Sequence, residues 1–134
     1  MQKRSLTNYL LLILSLEKIV QHIIVSMSFL YDIGSIRSTV AVDYRALMIS
    51  GAFITVLFAR AFLALFHIKR WGLYLVALLA AFDIIGEFIA QGTVLVTINV
   101  SLVVAIILLV LARALQQAFK PSVLFESFFC SIVL

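Results

Sequence analysis

The sequence predicts an all-α, integral membrane four-helix bundle with both termini in the cytoplasm, and three observations predict it. Apolar residues make up 65% of the 134-residue chain and charged residues only 12%, against roughly half and a quarter in average soluble domains. A single domain of this size has no core large enough to hide so much apolar surface from water. The apolar residues fall into four stretches, each of ~20 residues or slightly more, enough for ~30 Å of hydrocarbon. The basic residues collect at the ends of these stretches, where they set orientation in a membrane. The formal net charge of +4 is thereby accounted for without nucleic acid. No basic stripe interleaved with aromatics is visible.

Helix 1 is expected over about residues 6–30, after Lys3 and Arg4. The opening MQKRSLTN has the charged character of a signal peptide. The apolar run behind it is too long, carries charges and lacks an A-x-A-like cleavage site, so it reads as a retained first transmembrane helix. The following YDIGSIRSTVAVDYR mixes Gly34, Ser35, Ser38 and Thr39 with Asp32, Arg37 and Asp43. It reads as the one long loop. Tyr31 and Tyr44 flank it, as an aromatic belt at a membrane surface would.

Helix 2 is expected over about 46–66, closed by His67, Ile68, Lys69 and Arg70. Helix 3 follows over 71–90, with Trp71 and Tyr74 at the interface and Gln91 and Gly92 in a tight turn. Helix 4 is expected over 93–119, and Pro121 stops it, because proline cannot continue the hydrogen-bond ladder. The apolar tail 120–134 is too short to cross and suits an interfacial segment or a cover over a groove.

Four crossings place Lys3, Arg4, Lys69, Arg70, Arg113 and Lys120 on one side and Arg37 and Arg45 on the other. Six against two makes the first side cytoplasmic. A bacterial or organellar inner membrane is the expected location. The single cysteine, Cys130, excludes an intrachain disulfide and a multi-cysteine metal site.

Against this apolar background the ionisable residues inside the spans stand out. A charge at the bilayer centre costs ~2.5–3.5 kcal/mol on insertion scales, so Glu17, Lys18 and His22 on helix 1 need partners. At ~1.5 Å rise per residue, Glu17 and Lys18 lie ~16–18 Å from the start of helix 1 and His22 ~24 Å. On helix 3 the same rise puts Asp83 at ~16 Å and Glu87 at ~22 Å. Lys18 and His22 share one helical face, and so do Asp83 and Glu87. Facing each other, Lys18 would neutralise Asp83 and His22 would hydrogen-bond Glu87. Asn99, six residues into helix 4, falls near the depth of Glu87, with Thr97 and Ser101 beside it. Arg60 on helix 2 either reaches Glu17 or snorkels to nearby headgroups along its stem.

A self-neutralising set of this kind is either polar glue between helices or a functional site. The leading functional chemistry is binding or passage of protons or a small cation. Glu17 and Asp83 would then be the central groups, Lys18 would tune them, and His22, Glu87 and Asn99 would form the outer relay. A metal site would draw on Glu17, His22, Asp83 and Glu87, since carboxylate plus imidazole suits iron, manganese or zinc. Yet the E-x-x-H spacing of di-iron bundles is absent, and Lys18 would stand beside the ion. A quinone, lipid headgroup or small organic cation between helices is the third chemistry. An enzyme has only the metal argument behind it, and no cofactor motif is present. The rival from another class is an accessory subunit of a larger membrane complex. Four helices make a narrow scaffold for a pore, so a homo-oligomer is expected for transport.

A four-helix chain with a glutamate midway along helix 1, here Glu17, resembles the small multidrug resistance transporters, while Lys18 and His22 depart from that pattern. The long first loop, the short later turns and the LEKIV stretch at 16–20 are similar to the phosphate-starvation-inducible family of membrane proteins. Neither likeness covers enough residues to carry a function over.

Overall fold

The computed structural model describes residues 5–92 and 99–118. Lys3, Arg4, Thr97, Lys120, Cys130 and the tail lie outside the described residues. Four helices carry the fold: α1 (Leu6–Tyr31), α2 (Tyr44–Phe66), α3 (Trp71–Gln91) and α4 (Val100–Ala118). All four are long and apolar enough to cross a membrane. They run alternately up and down, each packed on the next, and α4 closes the ring against α1. The chain is an all-α four-helix membrane bundle, with no strand among the described residues.

The surface follows the logic of lipid as solvent. Only 22–28% of each apolar span is buried inside the bundle. Large side chains such as Ile13, Ile49, Phe53, Leu78 and Val110 point outward. The centre is closed by Leu11, Phe58, Val76 and Leu108, with Ala61, Ala80, Ala105 and Ala112 letting the helices approach. Among them lie the polar Ser15 and Lys18, both fully buried, and Asp83. Apolar outside with polar groups inside is stable only where the exterior is hydrocarbon.

Both ends of α1 and the start of α2 are satisfied locally, as a membrane favours for backbone polar groups. The Ser5 hydroxyl accepts from the Asn8 N–H at the start of α1. At the other end Asp32 adopts a left-handed conformation. There Arg37 donates to the carbonyls of Phe29 and Leu30, each at 2.8 Å. These are among the four carbonyls a helix leaves without intrahelical partners. The Arg37 guanidinium also lies 4.4 Å from the centre of the Tyr44 ring. The loop between is a short 3-10 segment, Ile33–Ser38, and Asp43 then caps α2 by accepting from the Arg45 N–H at 2.9 Å.

The α2–α3 turn is a Schellman cap. The Lys69 N–H reaches back to the Ala64 carbonyl at 2.8 Å and the Ile68 N–H to Leu65 at 3.0 Å. Glycine normally takes the left-handed position of this motif, but here Ile68 does, at φ 56°. A β-branched residue there is strained. Ile68 is 46% exposed, so little packing is at stake. Ile68→Gly is expected to stabilise the bundle by about 1 kcal/mol, read as a rise in unfolding temperature in detergent. The turn then brings α3 so close to α2 that a Cβ at Gly72 would come within 2.9 Å of the Ala64 methyl.

Candidate functional site

Lys18 and Asp83 each lie twelve residues beyond the start of their helices, ~18 Å along at the α-helical rise. They meet at 2.8 Å between Nζ and Oδ2. The lysine has three N–H donors. It spends them on Gln21 Oε1 (3.1 Å), the Ser101 carbonyl (2.8 Å) and the Ser101 hydroxyl (2.9 Å). The contact with Asp83 adds an ion pair to these three bonds. A fully buried ammonium is tolerable here because four acceptors surround it.

His22 departs from the sequence expectation. It pairs with Asp83 Oδ1 at 3.1 Å, not with Glu87. Positions four apart on a helix are neighbours, so Lys18 and His22 together hold both oxygens of one short carboxylate. The imidazole also stacks on Phe58 of α2, with centroids 5.8 Å apart.

Glu87 has different partners because α4 begins lower than the sequence suggests. Asn99 is not six residues inside a helix. It immediately precedes α4 (Val100–Ala118), and its side-chain oxygen accepts from the Leu102 N–H at 2.8 Å, the geometry of an N-cap. Its amide then donates to Glu87 Oε2 at 3.2 Å. Gln91 donates to the same oxygen at 3.3 Å. The expected start of the helix at 93 lies outside the described residues. The level at which α4 meets the cluster is set by Ser101, which reaches Lys18 from the first turn. The positive end of the helix dipole consequently faces the carboxylate side of the cluster.

These groups line a cavity of about 310 Å³, at the small end of the ~300–1,000 Å³ typical of ligand pockets. Gln21, His22, Asp83 and Ser101 supply its inner polar lining, and Glu87, Gln91 and Asn99 add polar walls nearer the loop. Val25, Phe29, Leu47, Ile54 and Phe82 supply apolar ones. Ile36, Thr39 and Val40 of the first loop also border it, which places its mouth at the loop end of the bundle. The loop is tied across by the Ala41 N–H, which donates to the Ala90 carbonyl at 2.9 Å. Gly86 lines the wall where a Cβ would meet only open space.

Two of the residues singled out from sequence stand apart from this cavity. Glu17 is half-buried and absent from the lining, and its Oε2 is buried without a hydrogen-bond donor. Arg60 is exposed and forms no ion pair with Glu17; it lines a groove at the opposite end with His67 and Lys69. Among the described residues no three His, Cys, Asp or Glu side chains come together as a metal site. Sequence reasoning missed Gln21 and the Ser101 carbonyl as lysine acceptors and Phe58 as the support of His22. The polar run Thr97, Asn99, Ser101 was the signal available for part of this. Its depth depended on where α4 starts. Compared with protein-family models, curated proteins and solved structures, the chain matches none.

Proposed function

We propose that the cavity binds a proton or a small cation, with Glu87 as the receiving group and the His22–Asp83 pair as a proton-exchanging floor. One observation supports this most. Asp83 meets Lys18 at one oxygen and His22 at the other, whereas the partners of Glu87 among the described residues are the neutral amides of Asn99 and Gln91, with no ion pair. A carboxylate with no counter-charge beside it favours an arriving positive charge. Histidine is the side chain that changes charge nearest neutral pH. With both termini cytoplasmic, the mouth opens to the far side of the membrane.

Ion flux into proteoliposomes, followed with a pH-sensitive dye under an imposed cation gradient, tests the reading. Glu87→Gln keeps the shape of the side chain and removes its charge. It is expected to fold normally and to lose most of the flux, at least tenfold, the equivalent of about 1.4 kcal/mol. Glu17→Gln, outside the cavity lining, is expected to retain flux. Unchanged flux in Glu87→Gln would overturn the assignment. The alternative of an accessory subunit draws support from Lys18, whose donors are all committed within the bundle. No flux from folded wild-type protein under any gradient would favour it.

A further inference from the structure

We infer that the turn end of the α2–α3 hairpin binds the phosphate of an anionic phospholipid. The site is the groove of about 200 Å³ lined by Arg60, Leu63, Ala64, His67, Lys69 and Trp71. Two of these side chains are cationic and a third is an imidazole, and no carboxylate is among them. Both ion pairs among the described residues belong to Asp83, so none of the described carboxylates neutralises Arg60 or Lys69.

Position makes this charge consequential. Arg60 lies six residues before the end of α2 at Phe66, ~9 Å inside the helix end at the α-helical rise. A guanidinium at that depth extends its stem towards the headgroups, and the groove is where this one arrives. Lys69 is held at the rim by the Schellman cap, through its N–H on the Ala64 carbonyl at 2.8 Å. Arginine grips a phosphate through paired N–H donors, and lysine adds a point charge.

The remaining walls select the source of the phosphate. Leu63 is exposed on the lipid-facing surface and Ala64 is buried beneath it. Trp71 stands half-buried at the edge, the interfacial position such rings favour. A free phosphate has no use for these apolar contacts; a phosphodiester with an acyl chain uses both parts of the groove. Basic pockets between transmembrane helices bind anionic headgroups in this way.

The test is retention of lipid by the full-length protein in detergent, measured by native mass spectrometry and by unfolding temperature. Phosphatidylglycerol, phosphatidylcholine and inorganic phosphate are the probes. Phosphatidylglycerol is expected to be retained in preference to phosphatidylcholine and to raise the unfolding temperature, because a ligand bound only to the folded state stabilises it. Arg60→Gln with Lys69→Gln is expected to weaken phosphatidylglycerol retention roughly tenfold or more and to leave phosphatidylcholine unaffected. Lys69→Gln alone, at an exposed turn position, gives a smaller loss with no demand on folding. Arg113→Gln, an exposed base on α4, is expected to change nothing. Equal retention of the two lipids would overturn the proposal, as would undiminished phosphatidylglycerol binding in the single and double variants. Inorganic phosphate raising the unfolding temperature as effectively as the lipid would overturn the lipid assignment.

Discussion

Lys18→Ala is expected to cost ~3–5 kcal/mol, the usual penalty for removing one partner of a buried ion pair. Lys18 is fully buried and Asp83 is 9% exposed. Without the ammonium, the Asp83 carboxylate keeps only His22, and the Ser101 hydroxyl and Gln21 lose a donor. The penalty comes chiefly from the charge left behind. Lys18→Met combined with Asp83→Leu should therefore recover most of the loss, because apolar replacement of a buried pair is often neutral. Thermal unfolding of the three proteins in detergent is the measurement. A loss below about 1 kcal/mol in Lys18→Ala would mean that solvent reaches the pair and that its contribution is that of a surface salt bridge. The rescued double variant also separates stability from function. If it folds but carries no ions, the cluster has a role beyond holding helices together.

Gly92→Ala should destabilise the protein by ~2–5 kcal/mol, the sum of left-handed backbone strain and overpacking. Gly92 ends α3 at φ 64°, a conformation in which a Cβ crowds the backbone. An added Cβ would also come within 2.5 Å of the Ala41 methyl, far inside van der Waals contact. Ala41 is the residue whose N–H ties the first loop to Ala90. Relief of the clash must therefore lift the loop from the edge of α3, beside the cavity mouth. The variant is expected to unfold earlier and to exchange the Ala41 amide hydrogen faster than wild type. Slower or unchanged exchange at Ala41 would show that the loop is held by other contacts, with Arg37 and its bonds to Phe29 and Leu30 as the first to test.

Much of the architecture was legible in the chain because each helix must satisfy the bilayer by itself. Length, apolar content and turn residues are local properties, and a hydrocarbon solvent enforces them segment by segment. The Lys18–Asp83 contact was legible for a related reason: two helices entering from one side place residues of equal rank at equal depth. The partner of His22 was not, since Asp83 and Glu87 are both within reach of its face and the choice rests on who else claims them. Asn99 claims Glu87 because α4 starts at Val100, and no residue in the sequence marks that level unambiguously. Arg60 was undecided for the same cause, its alternatives lying on different sides of the bundle.

The sequence by itself determined the four-helix membrane fold and the buried lysine–aspartate pair, through hydropathy, spacing and depth. Only the tertiary structure decided that His22 joins that pair, that Ser101 completes the lysine's shell, and that Glu87 stands in a cavity among neutral amides. Those outcomes depend on the axial offset of α4 against α1 and α3, which is set by packing and by the path of the connecting chain, and local sequence does not encode it.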